Sequence, residues 1–370
     1  MRCSKIIEFF EDWAPSAIAW ERDNVGLQVG NEDKKIKNIL LSLDLDHKVV
    51  DEAIKRNCNL IITHHPLLFN PVYNINTTNN PRSIVIEKLI KKDINVFSAH
   101  TNLDFTKDGV SFQLAKILGL KNIRFLKNLK DDQYKLVVFI PDEYVEQVAE
   151  AVHGAGAGVI GEYSNCSFRL KGTGTFKGSE YSNPAIGKKN KREKVEETRL
   201  EILITKSNLH KVISSMLKAH PYEEVAYDLY LLKNENVNFG FGAIGEFKNG
   251  MNVQQFFKTL SKNLNLKNFR YTNGKTKTIR KVAVCGGSCS ELVDSALSLG
   301  ADAFITADLK YHTFQETEGK ILLIDAGHYE TEVPVLNEIK RRLEKILNEN
   351  KSIKVFKYSG STNPVLFYNN

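Results

Sequence analysis

Short apolar runs alternate with amphipathic stretches through the first third of the chain. Asn38–Asp44, Asn59–Thr63 and Ile94–Ser98 are strand-length runs rich in Ile, Leu and Val. His47–Asn57 and Ser83–Lys92, between them, space their apolar residues as helices do. Runs with no polar face, separated by helices, predict a buried, largely parallel sheet. The same grammar returns near the C-terminus. Strands are expected at Lys281–Cys285, Ala303–Thr306 and Ile321–Asp325. One helix should follow Gly286-Gly287-Ser288 and reach Leu299, and another should run from Glu332 to about Leu347.

The middle reads differently. A strand at Lys135–Ile140, a helix at Asp142–Val152, strands near Cys166–Phe176 and Arg199–Ile204, a helix at Asn208–Ala219 and a strand at Val225–Leu232 give the order βαββαβ. That order fits a small ferredoxin-like α+β unit. The predicted fold is therefore α/β. Residues 1–130 and 246–370 form two halves of one core with a parallel-type sheet drawn from both chain ends, and residues 131–245 form an inserted ferredoxin-like domain.

Composition changes this picture little. The chain has 370 residues, 42% hydrophobic and 26% charged, which is ordinary globular usage. The net charge of +7 comes from 51 basic and 44 acidic residues, enough to favour an anionic small molecule but not to indicate nucleic acid. The basic run from Lys188 to Lys194 reads as a solvated loop. No apolar stretch approaches the roughly 18 residues of a membrane span, and the first residues do not form a secretory signal. The five cysteines are widely spread, so no disulfide framework is expected, and a cytoplasmic location fits.

The chemistry lies at strand ends, where open α/β sheets gather functional groups. Those ends carry His64-His65, His100 with Asp104, Asp308 with His312, and His328 with Glu332, so five of the nine histidines follow strands. Adjacent side chains of an extended backbone point apart, so His64 and His65 more naturally serve different ions than one. A His-His pair in a loop is also common by chance. Imidazole suits zinc, iron, nickel or copper. His328 and Glu332 are four apart and share a face if a helix starts near Tyr329. A carboxylate offsetting the helix dipole is the competing account. Asp104 is a candidate bridging carboxylate or a turn residue bonding its own backbone. Gly156–Gly161 matches a dinucleotide pattern, but a helix precedes it and a strand follows, so no nucleotide-cofactor role is assigned. Gly286-Gly287-Ser288 reads as a tight turn, and Cys285 and Cys289 as packing residues.

Together these residues resemble the Nif-three-like family, the GTP cyclohydrolase 1 type 2 homologues. The resemblance runs along nearly the whole chain. It is carried by Asp23–Gly30, Ile62–Phe69, His100-Thr101-Asn102-Leu103-Asp104, Ala307–His312 and Gly327–Glu332, in that order. Ala307 departs from the pattern, where glycine is expected in many relatives. The resemblance implies two divalent metal ions per chain (zinc, iron or manganese), held by His64, His65, Asp104, His328 and Glu332. It also implies a ring-shaped homohexamer. The middle domain is similar to PII and copper-tolerance proteins, with His220–Asp228 as its closing motif. The expected function is metal-dependent hydrolysis of a small molecule such as a nucleotide, with His100 and His312 orienting ligands or moving a proton. The alternative is a non-catalytic metal-binding or partner-binding protein.

Overall fold

A computed structural model describes residues 1–130, 133–161, 163–348 and 352–368. In the first stretch, α1 (Cys3–Trp13) and β1 (Gly26–Val29) precede three strand–helix repeats. These are β2 (Ile39–Ser42) with α2 (His47–Lys55), β3 (Leu60–Thr63) with α3 (Pro81–Lys91), and β4 (Asn95–Ser98) with the short α4 (Thr101–Asp104). Then come α5 (Val110–Ile117) and β5 (Lys121–Leu129). Helix starts follow local chemistry. Asp46 accepts from the Val49 amide at 2.9 Å to open α2, and Asn80 accepts from Ser83 with Pro81 in the first turn of α3.

The middle holds β6 (Gln133–Pro141), α6 (Val145–Gly154), β7 (Ser167–Lys177), β8 (Arg192–Thr205), α7 (Leu209–Ala219) and β9 (Tyr227–Leu232). After it come β10 (Asn236–Asn252), α8 (Val253–Leu264), β11 (Arg270–Thr272), β12 (Thr278–Ser288), α9 (Val293–Ser298) and β13 (Ala303–Ala307). The chain continues with α10 (Tyr311–Thr317), β14 (Leu322–Asp325), α11 (His328–Glu332), α12 (Val335–Ile346) and β15 (Val355–Lys357). Two compact units result: residues 1–128 with 239–370, and residues 129–238.

The larger unit contains two sheets, where the hydrophobic pattern suggested one. The first has the order β1-β4-β3-β2-β15, with β15, β2, β3 and β4 parallel and β1 antiparallel at the edge. The second has the order β11-β14-β13-β12-β10-β5 and keeps a parallel centre, β12-β13-β14. Each sheet is covered on both faces. In the first, Ile39, Leu41, Leu60 and Ile62 pack with α1 and α12, while Leu40, Ile61 and Val96 pack with α2 and α3. In the second, Val282, Val284 and Ile305 pack with α5 and α8, while Ala283, Phe304 and Leu323 pack with α9. Fully buried strands tell which segments lie inside but not which strands pair. Both chain ends do meet in the first sheet, because β15 adds to β2 and α12 covers the same face as α1.

The smaller unit has one antiparallel sheet in the order β7-β8-β6-β9. Leu136, Val138, Ile140, Leu200, Ile202 and Ile204 form its core with α6 and α7. Part of the basic run expected as a loop, Arg192 to Lys194, begins β8 and pairs with β7. Among the described residues, no helix is long and apolar enough to cross a membrane.

Candidate metal centre

β2, β3 and β4 run parallel with Ser42, Thr63 and Ser98 level across the sheet. The residues just beyond them therefore leave at one edge: Asp44, His64-His65, and His100. The ladder continues past the strands, since the His65 amide donates to Leu43 O at 2.9 Å and the Ala99 amide to Thr63 O at 3.0 Å. From the second sheet, β14 ends at Asp325, and Gly327, at a φ of +89° that side chains disfavour, turns the chain into α11. α11 places His328 and Glu332 one turn apart on the same side.

Every imidazole here is tethered at Nδ1. His64 Nδ1–H donates to the Ala99 carbonyl at 2.8 Å, and His65 Nδ1–H to Asp44 at 2.7 Å. His100 Nδ1–H donates to Asp23 at 2.9 Å, and His328 Nδ1–H to Asp308 at 2.6 Å. An acceptor at Nδ1 sets the tautomer and leaves the Nε2 lone pair for a ligand. The Nε2 atoms of three rings face Glu332: His65 at 2.9 Å, His328 at 3.1 Å and His64 at 3.8 Å. His64 Nε2 is also 3.5 Å from Asp104. His64 and His65 thus reach one carboxylate together, and their ring centres are 5.0 Å apart.

Three buried atoms at this convergence lack a hydrogen-bond partner: His64 Nε2, Asp104 Oδ1 and Glu332 Oε2. Burying such groups unsatisfied is costly, and imidazole nitrogens with carboxylates are the donor set of a divalent transition metal. His64, His65 and His100 form one group able to hold an ion, and His65, His328 and Glu332 another.

The electrostatics fit the same arrangement. Burial disfavours the charged His65 ring, but the hydrogen bond to Asp44 and the negative Glu332 carboxylate beside it outweigh burial and push its pKa up to about 10. The bond to Glu332 raises His328 to about 9 against its own burial. Burial also works against ionised Glu332, yet the surrounding imidazoles hold it well below the ordinary carboxylate range. Asp104 rises to about 7, through burial above all and the charge of Glu332, opposed by His64. Asp23 falls to about 2, because hydrogen bonds from His100 and Thr101 overcome its burial.

His312 makes none of these contacts. It is exposed on α10, with Nδ1 3.4 Å from Gln315 Oε1. The residues that sequence reasoning did not assign are the tethers Asp23, Asp44 and Asp308. Two of them follow strands, and that was the available signal. Thr362 and Asn363 gave none: the Thr362 hydroxyl donates to Asp44 at 2.7 Å, and the Asn363 amide to Glu330 at 2.8 Å. A cavity of about 600 Å³ adjoins the cluster, with Asp44, His65, Arg270, Asp308, His328 and Phe367 in its wall. Cys285 and Cys289, expected only to pack, are joined as a disulfide. The turn after Cys285 brings their Cα atoms to 6.1 Å, inside the range a disulfide spans.

Similarity to known proteins agrees along the chain. The model of the Duf34/NIF3 (NGG1p interacting factor 3) family matches residues 1–364. Proteins named GTP cyclohydrolase 1 type 2 homolog from Halalkalibacterium halodurans and Bacillus subtilis are 41% and 39% identical over 366 residues, 98% of this chain and 98% of each relative. The crystal structure of a Bacillus cereus protein related to NIF3 is 37% identical, covers 100% of this chain and 99% of its own, and superposes with a TM-score of 0.85. The chain belongs to the Duf34/NIF3 family.

Proposed function

We propose that this protein is a dinuclear-metal hydrolase acting on a nucleotide or related heterocycle. The observation that carries this reading is the convergence of three orphaned buried atoms, His64 Nε2, Asp104 Oδ1 and Glu332 Oε2, among imidazoles tethered at Nδ1. His64, His65, Asp104, His328 and Glu332 would hold two divalent ions (zinc, iron or manganese), with Asp104 as a shared ligand. When bound, such a pair lowers the pKa of a coordinated water and polarises the bond under attack.

The chain's own residues supply the rest. Asp44 and Asp308 orient His65 and His328. His100, held by Asp23 at Nδ1, would take or return a proton at Nε2. Arg270, in the wall of the adjoining cavity, is ion-paired with Asp325 and donates to the Leu309 carbonyl, so an anionic substrate would have to share its charge. Curated relatives carry the name GTP cyclohydrolase 1 type 2 homolog, which makes GTP, attacked at C8 of its imidazole ring, the first substrate to test.

Residues 131–245 are assigned as an inserted ferredoxin-like domain, supported by the βαββαβ order and by the strand order β7-β8-β6-β9. The assembly is assigned as a homohexamer on the resemblance. A second reading, a binding protein without turnover, is favoured by a cavity of about 720 Å³ inside the smaller unit. It is walled by Phe139, Leu170, Phe176 and Tyr222, and none of the residues proposed above as metal ligands lines it. The two readings separate by turnover. Metal-loaded protein is incubated with nucleotides, phosphoesters and cyclic amides, with and without chelator. Metal-dependent product supports the hydrolase, and its absence across the panel supports the binding protein.

A further inference from the structure

We propose that Cys285 and Cys289 are a redox-active pair whose oxidation state sets how firmly Glu332 is held. The consequence for metal rests on the centre proposed above. The pair spans the end of β12 and the turn before α9, and encloses Gly286, Gly287 and Ser288. This short loop lies against α11. The Gly287 amide donates to the Thr331 hydroxyl at 3.0 Å, and the Gly287 carbonyl accepts from Thr306 at 2.8 Å. A Cβ on Gly287 would come within 2.3 Å of Glu332 Oε1 and 3.4 Å of His328 Cε1. One on Gly286 would meet Thr331 O at 3.2 Å and Glu332 Cγ at 3.4 Å. The loop is therefore the wall behind the carboxylate on which three imidazoles converge.

The other cysteines do not offer this chemistry. Cys3 and Cys58 are buried, and burial pushes both thiols up, Cys58 to about 12, which suppresses the reactive thiolate. Cys166 belongs to the smaller unit. Cys289 is half-buried while Cys285 is buried, so Cys289 is the thiol a small oxidant reaches first.

The oxidant is a hydroperoxide. The Cys289 thiolate attacks its terminal oxygen, breaking the O–O bond and giving a sulfenic acid plus water or an alcohol. The Cys285 sulfur then displaces the sulfenic oxygen as water, forming the S–S bond. The two thiols lose two electrons and two protons, and the peroxide is reduced by two electrons. Low-molecular-weight thiol reverses the step by exchange. Closing the loop restrains Gly287 against Glu332 and preorganises the carboxylate.

The test uses the full chain, reduced or peroxide-treated. Intact mass and peptide mapping read the Cys285–Cys289 link. Affinity is read with manganese(II), which favours oxygen and nitrogen over thiolate and so avoids direct binding to the reduced cysteines. The oxidised form should bind manganese roughly tenfold more tightly, the lower end of the effect of support around metal ligands. Cys289→Ser should match the reduced form under both treatments. Amide exchange at His328–Glu332 should slow on oxidation in wild type only. Thiols left unlinked by peroxide would overturn the pair. A link with equal or weaker manganese binding would overturn the coupling. If neither form binds manganese, the metal reading fails by itself, and exchange unchanged by the link would then overturn the coupling.

Discussion

Asp308 holds His328 Nδ1 at 2.6 Å from a backbone φ of +56°, a left-handed conformation that non-glycine residues seldom adopt. The tether and the unusual backbone occur at the same residue, so local strain and ligand orientation can be separated by substitution. Asp308→Gly should relieve the backbone but also remove the Asp308–His328 ion pair, so the stability of the metal-free protein should change little. It should also lower metal affinity by about tenfold or more, since His328 loses its orienting acceptor. Asp308→Asn keeps an acceptor and should fall between. Thermal unfolding in chelator, paired with metal titration, reads both effects. A glycine variant with unchanged affinity would mean that Asp308 does not position His328.

The raised imidazoles make metal binding depend on pH in a definite direction. An ion takes Nε2 of His65 and His328 only after those rings release protons, and their pKa values in metal-free protein are raised to about 10 and about 9. Affinity should therefore climb with pH through the neutral range and level off above about 9 to 10, with up to two protons released by these rings and up to one more by Asp104, raised to about 7. The metal-free protein behaves oppositely. Stability from these two protonated rings is complete below the unfolded histidine value of about 6.5 and is lost as pH rises through about 9 to 10. Asp23, lowered to about 2, stabilises above about 4, and that contribution is lost as pH falls through about 2. Calorimetric metal titrations in buffers of different ionisation enthalpy count the protons. Zero release would exclude His65 and His328 as ligands.

His64, His65, His100 and His328 could be read from the sequence because each follows a buried apolar run, and strand ends are where such sheets gather function. Asp44 and Asp23 were harder. A carboxylate beyond a strand looks like any turn residue until the neighbouring strand's register places it beside a ring, as Ser42 level with Thr63 places Asp44 beside His65. The division into two sheets was hidden for a related reason. β2–β4 and β12–β14 are equally apolar, and nothing in either run names its partner strand. The helix expected from Glu332 to about Leu347 begins instead at Val335, after Pro334, and a separate short α11 ends at Glu332. The Cys285–Cys289 link depends on a turn geometry that spacing alone does not specify.

Removal of the middle of the chain should leave the metal centre intact. His64, His65, Asp104, His328 and Glu332 all belong to the unit formed by residues 1–128 and 239–370. Among the described residues, its core clusters contain none from 129–238, and the core of the smaller unit contains none from outside it. Joining residue 128 to residue 239 through a short Gly/Ser linker should give a soluble product that binds metal with near wild-type affinity. Circular dichroism and elemental analysis check this. A folded product that has lost its metal would show that the middle unit helps to build the site.

Catalysis, if the hydrolase reading holds, should separate Asp104 from His312. Asp104 Oδ1 is an orphaned atom 3.5 Å from His64 Nε2, and in the proposed centre it would be the ligand shared by both ions. His312 is exposed on α10 and touches no member of the cluster among the described residues. Asp104→Ala should reduce metal-dependent turnover by on the order of a hundredfold, together with metal content. His312→Ala should change turnover little in an isolated chain. A larger loss in the assembled protein would place His312 at a site completed by a second copy. Wild-type activity should rise with pH as metal-bound water ionises near neutrality, vanish with chelator and return with zinc, manganese or iron(II). Steady-state rates on the best substrate of the nucleotide panel, with metal content measured on the same samples, decide the matter. Equal losses from both variants at full metal occupancy would remove Asp104 from the ligand set.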